Sequence, residues 1–315
     1  MEFLHWLSII RCGFLDFIFM AITALGSEVA FMAIAVAVLW CVSKKDGYYI
    51  LSVCFIGTVI NQFLKLLCKI PRPWIQDTKF KPVESAVSGA EGYSFPSGHT
   101  QNAVGAFGSI ALFTKKNWLR ITCIALCVLI PLSRMYLGVH TPLDVGVSIL
   151  IAVVLALAIK PIIYKGEEKS LIMYIFLGVM FVLSLSFLLF VELYDFGSEL
   201  DALNYASGLK NAYTLFGAIL GMLAAYPFEK RFVKFDVSGK WYTQVFKTAI
   251  GLGIVLGIKE LLKLPLNAMF PAETVARAIR YAIMVFVAVA VYPLTFKYFK
   301  KLEDKIEARR NKEAK

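Results

Sequence analysis

Val145-Gly-Val-Ser-Ile-Leu-Ile-Ala-Val-Val-Leu-Ala-Leu-Ala-Ile159 runs without a single charge. With its flanks it makes an apolar stretch over about 142–163. At 1.5 Å rise per residue, about 20 apolar residues cross the hydrocarbon core of a bilayer. Working outward, runs of the same kind lie at roughly 27–43, 47–68, 98–114, 117–135, 170–193, 211–228, 242–263 and 278–297, with no soluble domain between them. The composition agrees: 59% of the 315 residues are hydrophobic and 17% charged, with a mean hydropathy of +0.70, against about 45–50% and about 25% in ordinary soluble chains. The fold class expected is an all-α, polytopic membrane helical bundle.

Formal net charge is +11, but its distribution does not suit nucleic acid. Eight basic residues fall between Lys297 and Lys315, and most others cluster between apolar runs. Alternating the spans puts Lys44, Lys45, Lys115, Lys116, Arg120, Lys165, Lys169, Lys230, Arg231, Lys234, Lys240 and the tail on one side. The other side receives Lys69, Lys79, Lys81, Lys210, Lys259, Lys263, Arg277 and Arg280. The richer side is expected to be cytoplasmic. The six cysteines form no C-x-x-C pair and have no His cluster beside them, so they read as small buried hydrophobes.

Residues 1–26 are apolar but carry His5, Arg11 and Asp16, which suits an amphipathic segment at the outer interface, with a further span as the alternative. A cleaved leader fits less well, because Asp16 interrupts the apolar core and no Lys or Arg precedes Arg11. The tail, 299–315, reads as a charged cytoplasmic helix or anchor, with anionic-lipid binding as the sharper alternative. Lys259-Glu-Leu-Leu-Lys-Leu-Pro265 echoes Lys65-Leu-Leu-Cys-Lys-Ile-Pro71, but nothing around it repeats.

Three segments carry more than a spanning helix requires. Lys65 and Arg72 stand seven residues apart, about two helical turns, so they can face the same way even though Pro71 and Pro73 end the helix. Ser94-Phe-Pro-Ser-Gly-His-Thr100 reads as a helix start: Gly98 leaves the first N–H groups open to an anion, and His99 in the first turn is placed to donate a proton. Ser133-Arg134 leads to His140, and Thr141-Pro142 opens the next helix with Asp144 in its first turn. Asp144 is spaced to orient the His140 imidazole, and Arg134 supplies a permanent guanidinium fork. Alternation puts all three on the non-cytoplasmic side. Three cations, two histidines and a helix N-terminus converging there describe a site for a dianionic group.

Lys65 with Arg72-Pro73, then Pro96-Ser97-Gly98-His99, then Ser133-Arg134 with His140 and Asp144, together resemble the full three-part signature of the type 2 phosphatidic acid phosphatase superfamily. The resemblance covers about residues 14–163. The bacterial and sphingosine-phosphate phosphatase-like branch looks nearest, because Leu25-Gly-Ser-Glu28 precedes the first span. It implies a phosphatase core of six helices: 27–165, completed by the first helix of 166–298, the rest being additional C-terminal transmembrane helices. It implies that His140 attacks phosphorus, Asp144 supports it and His99 protonates the leaving oxygen. Lys65, Arg72, Arg134, Ser97 and Gly98 would bind the phosphoryl oxygens. No metal and no cofactor is implied. The expected substrate is a membrane lipid phosphate or diphosphate: undecaprenyl diphosphate if the source is bacterial, or phosphatidic acid, phosphatidylglycerophosphate or a sphingoid-base phosphate. A small soluble phosphate ester is a further alternative. A lipid phosphotransferase using the same residues is the second reading, and a non-catalytic phospholipid-binding or transport protein the third. Glu91, Tyr93 and the loop from Trp74 to Gly92 are candidates for contact with the head group or for shaping access. The oligomeric state stays open.

Overall fold

The computed structural model describes residues 1–197 and 201–313, so the last two residues of the expected tail lie outside the described residues. No strand occurs among them. The helices are α1 (Glu2–Ile9), α2 (Gly13–Ala24), α3 (Glu28–Cys41), α4 (Lys44–Cys68), the single turns α5 (Pro73–Gln76) and α6 (Glu84–Val87), α7 (Gly98–Phe113), α8 (Asn117–Tyr136), α9 (Pro142–Glu168), α10 (Ser170–Leu193), α11 (Ala202–Phe228), α12 (Trp241–Leu261), α13 (Lys263–Met269), α14 (Glu273–Phe286) and α15 (Phe296–Glu313).

Helix starts follow local chemistry. Ser27, Ser43 and Ser97 each accept a hydrogen bond from a backbone N–H in the first turn of the helix they cap. Thr141 and Asp144 cap α9 reciprocally, with Pro142 in the first turn, where its missing N–H costs nothing. α4 stops at Lys69, whose φ of 49° is left-handed, directly before the prolines.

Among the described residues five spans qualify by length and composition: Lys44–Gln76, Asn117–Tyr136, Pro142–Gly166, Ser170–Leu193 and Glu273–Lys312. A sixth forms if α2 and α3, bent by 46°, count as one. This is fewer than the nine apolar runs of the sequence. α7 has only 16 residues and carries buried Gln101, Asn102 and Ser109. α11 and α12 are long enough, but Gly, Asn, Lys and Glu dilute their apolar character.

The N-terminal segment joins the bundle: α1 and α2 pack on α8. The Tyr136 hydroxyl donates to Asp16 Oδ1 at 2.8 Å, and Arg11 Nε donates to the Tyr136 carbonyl at 2.9 Å. Outward-facing Trp6, Phe14 and Phe17 leave an apolar exterior. In the C-terminal half α11 and α14 pack in parallel. A Cβ on Gly217 would stand 2.0 Å from the Ala278 carbonyl oxygen and one on Gly221 2.4 Å from that of Ala282, so this small-xxx-small contact requires glycine.

At the end of the bundle away from the three segments, Lys44 pairs with Glu229 at 2.6 Å, Lys230 Nζ donates to Ser170 at 2.5 Å and Lys240 pairs with Glu307 at 3.0 Å. Loops that alternation assigns to the basic side meet there.

Candidate active site

The three segments converge. Lys65, Arg72 and Arg134 are all buried, as are His140 and Asp144. Arg72 is not on α4, as two turns of continuous helix would have it. The left-handed Lys69 and the two prolines turn the chain, and Arg72 reaches the site from the N-cap of α5. Four of its five N–H groups are engaged, leaving one on NH2: Nε donates to the Gly92 carbonyl at 3.0 Å, NH2 to the Glu91 carbonyl at 2.8 Å, and NH1 to the Val139 carbonyl and to His140 Nε2, both at 3.0 Å. The Lys65 ammonium donates to the Tyr93 carbonyl. Glu91 and Tyr93, candidates for head-group contact, offer their carbonyls to two cations and so fasten the loop before α7 to them.

His140 sits in the turn between α8 and α9. Gly138 opens that turn with φ +77°, and a Cβ there would fall 2.8 Å from the Phe80 ring. A guanidinium has no acceptor, so the contact from Arg72 makes His140 Nε2 the unprotonated nitrogen and puts the ring proton on Nδ1. Nδ1 lies 3.4 Å from Asp144 Oδ2, beyond ordinary hydrogen-bond length. Ser94 stands beside the pair: its hydroxyl donates to Asp144 Oδ2 at 2.5 Å and lies 3.5 Å from His140 Nδ1. The same carboxylate oxygen accepts from the Thr141 N–H at 2.8 Å. Asp144 therefore caps α9 and supports the imidazole at once.

The remaining expected residues are placed as follows. Ser97 caps α7, its Oγ accepting from Thr100 N at 3.4 Å while its own N–H donates to the Asp144 carbonyl at 3.2 Å. It ties the second segment to the third through its backbone, and its hydroxyl, which only accepts in the cap, keeps its O–H to donate. Gly98 and His99 form the first turn of α7. His99 is half-buried and makes no side-chain hydrogen bond among the described residues. Burial lowers its imidazole pKa to about 3, and Arg134, Arg72 and Lys65 push it in the same direction, so with no anion bound the ring is neutral. Arg134 donates from NH1 to Thr23 Oγ1 at 3.0 Å, while its buried Nε has no partner. Sequence reasoning missed Ser94 and Thr23. Ser94 opens the second quoted segment, but Thr23 gives no signal before α2 is folded against α8.

Burial pushes His140 well below the ordinary imidazole range, and Arg72, Arg134, Lys65 and His99 push it further in the same direction. Below about pH 6.5 the unfolded chain takes up a proton here that the folded chain refuses. This contribution to stability is therefore present above that pH and declines as pH falls, by up to about 1.4 kcal/mol per unit. The melting temperature in detergent should drop from about pH 7 to about pH 5, and His140→Asn should flatten the drop. Identical slopes in the two proteins would mean that His140 is not held neutral.

Among the described residues, no three His, Cys, Asp or Glu side chains group as metal ligands. The site instead holds three buried cations against the one carboxylate of Asp144, plus an orphan guanidinium N–H. Such an excess of buried positive charge fits an anion.

Two stretches of the chain match known families. Residues 46–168 match the PAP2 superfamily, and residues 213–305 match the PAP2 superfamily phosphatase, transmembrane extension. Among curated proteins, the undecaprenyl-diphosphatase BcrC of Bacillus subtilis (strain 168) is 31% identical over 113 residues, 36% of this chain and 55% of that protein. Phosphatidylglycerophosphatase B of the same organism is 33% identical over 90 residues, 26% of this chain and 43% of that protein. The chain thus spans about half the length of the curated relatives it matches. No solved structure gives a significant match. The first family match encloses every expected site residue and the second covers most of α11 through α15, so the chain is an integral membrane protein belonging to the PAP2 superfamily and carrying its transmembrane extension.

Proposed function

We propose that this protein is a metal-independent phosphatase that hydrolyses a lipid phosphate or diphosphate through a phosphohistidine, at the non-cytoplasmic face of the membrane. The observation that carries the reading is His140 Nε2 at 3.0 Å from Arg72 NH1, inside a buried cluster with more cations than carboxylates. Nε2 attacks phosphorus, and the P–O bond to the lipid breaks as His99, which takes up a proton once the bound phosphate offsets the charge of Arg134, Arg72 and Lys65, gives that proton to the leaving oxygen. Lys65, Arg72, Arg134 and the Gly98 N–H counter the charge on the phosphoryl oxygens in the transition state. Asp144 and Ser94 hold the Nδ1 side of the ring as it becomes cationic. Water, deprotonated by His99, then attacks the phosphohistidine and frees inorganic phosphate and His140.

The Bacillus subtilis relatives support two substrate classes, a polyprenyl diphosphate and phosphatidylglycerophosphate. The excess of Lys and Arg in the loops opposite the site supports the sidedness. The test is phosphate release by the purified full-length protein in detergent, over undecaprenyl diphosphate, phosphatidylglycerophosphate, phosphatidic acid, sphingosine-1-phosphate and glucose-6-phosphate. Release should persist in EDTA, since fixed cations fill the role a divalent ion would take. Loss of release on chelation, restored by magnesium, would overturn the metal-independent mechanism, and no release from any substrate by folded protein would overturn the activity.

A further inference from the structure

Three adjoining cavities run from the site into the bundle, between the core helices α3, α4 and α7 and the extension helices α11, α12 and α14. The first, ≈ 70 Å³, touches Gly98 and is lined by Thr58, Asn61, Gln101, Asn211 and Thr214. A water needs about 10–15 Å³, so this polar neck admits a substantial polar group. It shares Glu28, Thr58, Thr214 and Leu215 with a second cavity of ≈ 100 Å³. That one shares Met32, Leu51, Met222, Tyr281 and Val285 with a third of ≈ 160 Å³. The second and third are walled mainly by Leu, Val, Met and Phe. Glu28 borders all three.

Two further observations mark the neck as a binding space. Asn61 is 1% exposed and Gln101 0%, and both polar atoms of each amide lack a hydrogen-bond partner. Buried amides are normally paired, so four orphan atoms around one cavity call for an occupant with donors or acceptors. Their register also fits. Asn61 lies one turn before Lys65 on α4, and Gln101 one turn after Ser97 at the start of α7. The neck therefore begins about 5 Å below the phosphate-binding groups, the reach of a short linkage.

We infer that the neck receives the oxygen-bearing linkage of the lipid phosphate, and that the apolar chamber, closed on one side by the extension, receives its hydrocarbon tail. This rests on the phosphatase reading above. Two linkages share the required chemistry, the ester of a glycerolipid and the second phosphate of a prenyl diphosphate. A tail gains little by leaving one apolar medium for another. The chamber therefore acts by admitting and aligning the tail, and blocking it should penalise long tails selectively.

Met222→Trp, which fills space shared by the two apolar cavities, should lower the ratio of kcat/KM for dipalmitoyl over dihexanoyl phosphatidic acid at least 10-fold. An unchanged ratio would overturn the chamber. Asn61→Leu should lower kcat/KM on dipalmitoyl phosphatidic acid or farnesyl diphosphate at least fivefold relative to hexadecyl phosphate, which has no linkage. The substrate that loses identifies the linkage, and equal losses on all three would overturn the neck. A readout independent of turnover is cross-linking of a lipid phosphate with a diazirine in its tail to the His140→Ala protein. Adducts near Met222 and Tyr281 are expected, whereas adducts confined to the outer faces of α8 and α10 would overturn the proposal. Chamber adducts in a protein whose wild type releases no phosphate would sink the phosphatase reading alone; release with adducts only on outer faces would sink the chamber alone.

Discussion

His140→Ala is expected to slow phosphate release from every lipid substrate by at least about 10³-fold, the scale seen when a covalent nucleophile is removed. No neighbouring group can substitute for it. His99 lies in the first turn of α7, Asp144 is bound by Ser94 and Thr141, and Ser97 is committed to its cap. The loss should fall on kcat, because Lys65, Arg72 and Arg134 still bind the phosphate. The fold should survive. His140 occupies a turn whose shape is set by Gly138 and by the Val139 N–H donating to the Arg134 carbonyl at 3.1 Å, and α9 keeps its own cap. The companion measurement is acid quenching with a labelled substrate. Wild type should carry label that is lost in acid and retained in base, as a phosphoramidate is, and His140→Ala should carry none. A variant that turned over at more than a tenth of the wild-type rate would remove His140 from the mechanism.

The sequence showed the helices and the membership of the site more clearly than the wiring of the site. Apolar runs and serine or threonine caps are local, and α4, α8, α9 and α10 fall within a few residues of where those signals put them. The residues that the fold brings together were legible because they stand in three short, unusually polar segments and the chain has only three histidines. The contacts between them depend on which elements meet in space. The helical spacing of Lys65 and Arg72 suggested one continuous face, yet a left-handed lysine and two prolines deliver Arg72 by a different route. The four-residue step from His140 to Asp144 suggested a direct hydrogen bond, whereas the cap holds the carboxylate oxygen 3.4 Å away, where it also accepts from Ser94. α7 is shorter than its neighbours and is buried against α4, α8 and α9, a packing its hydropathy alone does not reveal. The α11–α14 contact had a local sign, Gly217-x-x-x-Gly221, but its partner Ala278-x-x-x-Ala282 becomes visible only once the two helices are side by side.

Arg72→Lys keeps the charge and is nonetheless expected to lower kcat/KM by about 10²–10³-fold, or about 2.7–4.1 kcal/mol of transition-state stabilisation. The reason is geometric. One planar fork holds the carbonyls of Glu91, Gly92 and Val139 and touches His140 Nε2. Those groups come from the loop before α7, from the turn after α8 and from the His140 ring, so the guanidinium is the part that joins them. An ammonium is a point donor on a flexible stem and cannot span them. Unsatisfied carbonyls would follow, at about 1–3 kcal/mol for each one left buried, and the loop before α7 would loosen beside Lys65, which is anchored to the next carbonyl, that of Tyr93. Charge alone predicts the opposite ranking. If Arg72 served only as a cation, Arg72→Lys would stay within about threefold of wild type and Arg72→Ala would be the damaging change. Guanidinium ion added to Arg72→Ala separates the two accounts: partial recovery of kcat, with methylammonium ineffective at equal concentration, is the outcome expected if the fork sets the direction of His140, and equal recovery with both ions would reduce Arg72 to a source of charge.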